Sequence, residues 1–464
     1  MPDAPTAPPP DPRADAPGGG PRSAPGPFRN LFRDSAWQLA GGLGASVVNA
    51  GMCMAAVRLL GRDPFGAYGL VHTLAVFCAS FLGFGAKNTL MILAGRSRHA
   101  SKDTVVGSCY VYLAATAVAT WGLLLVDPPG PGSRLLSGLS PDLSLVIVLY
   151  TATFALFPMW GSMLRGADRY QAANVLRFGS QAALASGVIL GICYRGDCAG
   201  AVWGGAIGML VLAVGVTGVG IARWGFRLPR LRSFVRAGAS VGIRSYLASV
   251  AEVTAESFGV FYLATAGDLV GVAAIVGCQR MAAVLGKPAQ IVNLVLKGKI
   301  AGQTSGEREA KRVLQLSRWT FLFAAVASLP LLAFARPFTL LTLGERFEDA
   351  VRVMVLVLIT HVFRAHAAPA AGFLVGRGCP TVYVALRIAA LAGTVAGVLL
   401  LGPTSGAVGV ALTQGAVALG TAVLVSGVLA RQAGSLRSVF VGGDRLPLER
   451  LLVLRSPWLH PRRV

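Results

Sequence analysis

The sequence predicts an all-α polytopic membrane protein, with about twelve transmembrane helices in two six-helix lobes. Three observations carry that expectation. Hydrophobic residues make up 54% of the 464-residue chain and charged residues 13%, about half the charged share usual in soluble domains. Apolar runs of about 20 residues, the length that crosses a bilayer core, recur along it. Most of the 42 Lys and Arg collect in alternate connections between those runs, which is the asymmetry that fixes membrane orientation.

The elements follow in order. Residues 1–34 open the chain as a Pro/Ala-rich tail, with ten of the 26 prolines before residue 30. Such a composition cannot bury a core, so a disordered cytoplasmic tail is expected. It lacks the apolar stretch of a signal peptide. Spans are predicted at 35–58, 66–93, 104–126, 143–164, 172–194 and 199–222, forming an N-terminal lobe over 35–222. A second set at 237–263, 268–296, 313–334, 350–375, 380–401 and 406–430 forms a C-terminal lobe over 237–430. Between them, 223–236 mixes Arg with Phe and Leu and is expected to lie as an amphipathic linker on the inner membrane surface. Residues 431–464 make a basic cytoplasmic tail.

With both termini in the cytoplasm, clusters such as Arg223, Arg227, Arg230, Arg232 and Arg236 fall inside, and few cations fall outside. The net charge of +22 then reflects topology rather than a nucleic-acid partner. The longest outer loop, 127–142, is too short for a catalytic domain, so no enzyme is expected. Cys193 and Cys198 flank a short loop, either as a disulfide or as two thiols. His361 and His366 do not share a helix face, and no P-loop occurs, so neither a metal nor another cofactor is expected.

The chemistry-bearing feature is charge inside the spans. Arg244, Glu252, Glu256, Arg280 and Lys287 lie in the stretch Ala237–Lys299, Lys87 in the second span, Arg364 in the tenth and Arg387 in the eleventh. A charge near the bilayer centre costs about 2.5 kcal/mol or more unless it faces a polar cavity or a partner. Arg280 falls about 18 Å into the eighth span, near mid-depth, and Lys287 follows seven residues later on the same face. Lys87 and Arg387 lie near the inner edge, where snorkelling to headgroups is the simpler account. Glu252 and Glu256 stand one turn apart. They either pair with Arg280 or Arg244, or bind a coupling H⁺ or Na⁺. Cations outnumber acids, and forked guanidinium donors suit phosphate, so the expected cavity holds an anion.

The halves also look alike. Gly61-Arg-Asp-Pro-Phe-Gly66 before the second span matches Gly267-Asp-Leu-Val-Gly271 before the eighth, each a turn followed by a small residue that permits close helix approach.

The run Val57-Arg-Leu-Leu-Gly-Arg-Asp-Pro-Phe-Gly-Ala-Tyr68 resembles a signature of Wzx-type lipid-linked oligosaccharide flippases, in the multidrug/oligosaccharidyl-lipid/polysaccharide (MOP, MATE-like) exporter superfamily. Leu343-Gly-Glu-Arg-Phe-Glu-Asp-Ala350, Leu374-Val-Gly-Arg-Gly-Cys-Pro380 and Gly402-Pro-Thr-Ser-Gly-Ala-Val-Gly409 resemble it as well. The resemblance implies a bacterial cytoplasmic-membrane protein with a cationic central cavity and alternating access. It implies a polyprenyl-pyrophosphate glycan as cargo, and glycan polymerases or other envelope-synthesis membrane proteins as partners. Arg280, Arg364 and Lys287 would grip the pyrophosphate, Arg244 and Lys87 would draw it in, and Glu252 and Glu256 would carry a coupling ion. The rival readings are a multidrug or small-metabolite exporter of the same fold and a non-transporting scaffold for envelope synthesis.

Overall fold

In a computed structural model of the chain, the described residues are 29–81, 87, 90, 91, 94, 102–125, 141–167, 169–228, 231–300, 307–376 and 380–432. Backbone alone is described for 29–36, 102, 123–125, 141–144, 231–245, 294–300, 307–309, 375–376, 380 and 432. These residues are nearly all helical, with no strand among them. Helix α1 spans Arg29–Leu60, α2 Arg62–Phe81, α3 Lys102–Leu125, α4 Pro141–Gly166, α5 Tyr170–Arg195 and α6 Cys198–Trp224. The second half holds α7 Leu231–Thr265, α8 Leu269–Ile300, α9 Glu307–Ala333 and α10 Val351–Gly376. A short helix, Ala335–Leu343, and a 3-10 turn, Glu345–Ala350, lead into α10.

The last helical stretch, Pro380–Gln432, breaks at Gly406, where φ is 51° and ψ −130°. A residue with a Cβ rarely adopts that conformation. The break divides the stretch into α11 (380–405) and α12 (407–432), folded back on each other. A Cβ on Gly409 would meet the Leu401 carbonyl oxygen at 2.4 Å, and one on Gly397 would meet Thr413 Cγ2 at 2.5 Å. Eleven stretches among the described residues are long and apolar enough to cross a membrane. The longest, Thr381–Arg431, is two spans joined at Gly406. The total is therefore the expected twelve, and the chain is a multi-pass membrane protein. Because the spans alternate in direction, Arg29 and Gln432 lie on one side, termed proximal. The opposite side is termed distal.

Some boundaries differ from expectation. Helix α1 already begins at Arg29, inside the predicted tail, while residues 1–28 and 433–464 lie outside the described residues. Helices α6 and α7 both extend into 223–236. Between them the Arg227 amide donates to the Asp103 carbonyl at 3.1 Å, tying the connection to the start of α3. Cys193 and Cys198 are both free thiols.

Two matched caps start the helices after the distal turns. Asp197 Oδ1 accepts from the Gly200 amide at 2.6 Å, and Asp268 Oδ1 from the Gly271 amide at 2.7 Å. Such a cap is worth about 1 kcal/mol. This corrects the reading of Gly271 as a helix-approach residue: a Cβ there would strike the capping carboxylate of Asp268 at 2.2 Å. Gly66 does mark a close approach, as described below.

Within the N-terminal half, α5 and α6 touch backbone to backbone at their distal ends. A Cβ on Gly191 would lie 2.0 Å from the Gly200 carbonyl oxygen, and one on Gly204 2.1 Å from that of Gly187. Small residues let helices approach this closely in a membrane. Between the halves, α1 and α2 pack on α8, and α2 also packs on α7.

Candidate functional site

The distal side is sealed by the segments that carry the two most similar motifs. Gly61, with φ of 80°, turns the chain from α1 into α2. This places Arg58 and Arg62 against the opposite lobe. Arg58 Nη2 donates to the Leu341 carbonyl. Arg62 pairs with Asp349 at 2.5 Å and lies 5.1 Å over the Phe347 ring. Below them Gly66 meets α8 so closely that a Cβ would come within 2.1 Å of the Leu269 carbonyl oxygen. On the proximal side the lobes meet through side chains instead. Tyr246 Oη donates to the Phe81 carbonyl at 2.7 Å, and Ile291 reaches to Gly42 of α1.

A cavity of about 150 Å³ lies between these closures, walled by α7, α8, α10, α11 and α12. It brings together Glu252, Glu256 and Arg364 as charged lining, and adds Arg387. Arg364 Nη1 pairs with Glu256 Oε1 at 3.1 Å, and Arg387 Nη2 with Glu252 Oε1 at 2.7 Å. Tyr383 steadies the second pair: its hydroxyl donates to Glu252 Oε2 at 3.3 Å and accepts from Arg387 Nε at 3.1 Å. The carboxylates therefore pair with Arg364 and Arg387, not with Arg280. The side chain of Arg244 lies outside the described residues.

These pairs are half exposed. The side chains of Arg364 and Glu256 are 34% and 51% accessible, those of Arg387 and Glu252 23% and 36%. Pairs that open are worth no more than about 1 kcal/mol. They hold the guanidinium groups in place while leaving them partly open to the cavity.

More cations surround the chamber. Lys87 is exposed and feels the charges of Arg165 and Glu252. Lys287 donates to Gln290 Oε1 at 3.3 Å and feels Arg177 and Glu256. Arg387 lines the cavity, whereas Lys87 is exposed and lies outside its lining. Arg165 and Arg177, near the proximal ends of α4 and α5, lie outside the cavity lining: Arg165 Nη2 donates to Ser162 Oγ at 3.2 Å, and Arg177 reaches to Gly42 of α1. Polar amides complete the wall. Gln414 Nε2 and Asn293 Oδ1 line the cavity and are buried with no hydrogen-bond partner among the described residues. Gln279 donates to Gln414 Oε1 at 3.0 Å.

Arg280 lies elsewhere. It is 8% accessible and enters a socket of the opposite lobe, 5.4 Å from the Tyr68 ring centroid. Cys53 and Tyr150 lie within its field, as does His72, whose Nδ1 is 3.1 Å from Tyr150 Oη. Neither Nη atom finds an acceptor among the described residues. Mid-depth on α8 was read correctly, but depth does not specify which way a side chain points. Pro288, which removes the amide that would bond Val284, lies between the Arg280 turn and the proximal part of α8.

A guanidinium buried without a carboxylate partner among the described residues is costly, and replacing buried ionic groups by apolar ones of similar size is often stabilising by about 1–4 kcal/mol. Arg280→Met is expected to raise the thermal unfolding midpoint in detergent. A lowered midpoint would show that the socket depends on the charge.

Six helices per lobe, a seal on one side and a polar chamber in the C-terminal half go with the fold of the MATE transporters. No family model and no curated protein matches the chain, but solved structures do. An inward-facing multidrug resistance MATE family transporter superposes with a TM-score of 0.63 at 16% identity, covering 88% of this chain and 100% of the other. The lipid II flippase MurJ in an inward closed conformation gives 0.62 at 11% identity, covering 88% and 90%. An outward-facing MATE transporter of the same superfamily gives 0.53 at 15% identity, covering 88% and 96%.

Proposed function

We propose that the chain is a flippase that moves a polyprenyl-pyrophosphate-linked glycan across the cytoplasmic membrane for cell-surface polysaccharide synthesis. One observation carries the reading: Arg364 and Arg387 line the chamber beside Glu252 and Glu256, and Lys287 donates to Gln290 on its wall, so that cations outnumber acids three to two. A site with that balance favours a pyrophosphate over a cationic drug. The proximal side is the cytoplasmic one. Cargo enters past Lys87 and Arg177, and its phosphates displace Glu252 and Glu256 from their arginines. The unpaired amides of Gln414 and Asn293 suit sugar hydroxyls. Arg280, enclosed in this state, joins the path when the lobes part. The released carboxylates take up the coupling H⁺ or Na⁺, which resets the empty cavity. The chemistry asked of the protein is binding and movement, with no bond made or broken.

Reconstituted vesicles test this directly. The flippase reading expects scrambling of a fluorescent polyprenyl-pyrophosphate sugar, competed by inorganic pyrophosphate. Transport of an organic cation that pyrophosphate does not inhibit would instead establish the exporter reading. That reading draws support from the structural neighbours that are multidrug resistance MATE family transporters.

A further inference from the structure

The N-terminal lobe carries a second cavity, of about 830 Å³, on the outside of the bundle between α4, α5 and α6. Its cause is legible in the helices. The glycine contact locks α5 to α6 distally, and the two diverge toward the proximal side over α4. On α5 the lining residues Ala172, Val175, Leu176, Gly179 and Ala183 form one helical stripe. Asn174 and Arg177, on the opposite face, reach to Gly41 and Gly42 of α1. The groove therefore looks away from the chamber. Val175, Val211 and Val219 on its walls are exposed, so it opens sideways to lipid.

Its chemistry is asymmetric. The walls are apolar throughout, and the polar groups gather at the proximal mouth. There Arg169 lies 5.8 Å over the Trp224 ring, and Trp160 sits 5.7 Å from Trp224. Arg223 is exposed beside them, and neither arginine makes an ion pair with a described residue. Tryptophans and cations at one end of an apolar path are the pattern of a membrane interface. From Ala172 to Ala183 the path runs about 17 Å along α5, which is about half the thickness of a bilayer core.

We propose that this groove binds one anionic phospholipid of the proximal leaflet, with an acyl chain along the α5–α6 cleft and the phosphate between Arg169 and Arg223. Its length matches one leaflet rather than a span-long chain. Its two unpaired cations match a phosphodiester charge, and its floor of glycines leaves room for a methylene chain. The proposal does not rest on the cargo of the chamber, which is walled by helices of the C-terminal half.

Native mass spectrometry of the full chain, given equimolar phosphatidylglycerol and phosphatidylcholine, tests it. The expected result is one retained phosphatidylglycerol, preferred about tenfold or more, since each cation near a headgroup adds about 1 kcal/mol. Arg169→Gln with Arg223→Gln abolishes the preference. Gly179→Leu with Gly215→Leu abolishes retention of either lipid. Both glycines have room for the change: a Cβ on Gly215 meets nothing within 4 Å, and one on Gly179 only Leu212 at 3.9 Å. Equal retention of the two lipids, or binding unchanged in both variants, overturns the proposal. So does a dimer that the leucine pair dissolves with no lipid bound, which would give the groove to a second copy of the chain.

Discussion

Arg364→Gln combined with Arg387→Gln abolishes lipid-linked glycan transport in vesicles. Each guanidinium offers charge-assisted hydrogen bonds worth about 1.5–3 kcal/mol to a phosphate. Losing both lowers affinity by about two to four orders of magnitude. The substitution also leaves Glu252 and Glu256 unpaired in the chamber, turning the local charge from balanced to acidic. Either single change costs at least about tenfold. Arg336→Gln is the control, because its pair with Glu348 lies on the distal surface with both side chains well exposed. Transport by the double variant at the parental rate, with equal protein in the membrane, would remove the anion grip from the mechanism.

Gly66→Leu forces the distal seal apart and stops turnover. The obstacle at 2.1 Å is a backbone carbonyl at the start of α8, which no rotamer change can relieve. The helices must separate, and that favours the state in which the distal side is open. A ligand or mutation moves a two-state equilibrium only by the difference it makes between the states. Here the whole clash falls on the sealed one. Phe347 is 1% accessible beneath Arg62. A cysteine placed there should react with a membrane-impermeant maleimide in the Gly66→Leu background and stay protected in its absence. Protection in both backgrounds, with normal transport, would show that the lobes do not part at this seam.

The twelve spans were legible because a bilayer demands length and apolarity locally, and each run meets that demand alone. The α11–α12 turn was legible for a different reason: Gly402–Gly409 interrupts the run with the residues a reversal needs. The site was half legible. Charge inside an apolar run marks Glu252, Glu256, Arg364 and Lys287 wherever they point. Which partner each finds depends on the packing of separate helices, so the pairing with Arg364 and Arg387 was not readable from spacing. The same limit misjudged Arg280, which is at the right depth but enters a socket in the other lobe. Arg387 was discounted for lying near a span end, yet it lines the cavity. The motifs proved to serve the seal. Val57–Tyr68 and Leu343–Ala350 are far apart in sequence and meet as Arg62 on Asp349 and Phe347.

The backbone contact of Gly187 and Gly191 with Gly200 and Gly204 sets how the molecule can move. Two main chains so near interlock like gear teeth, so neither arm can slide past the other. Whatever motion the N-terminal half makes, these two helices travel as one piece, and any bending has to fall on the seams around them.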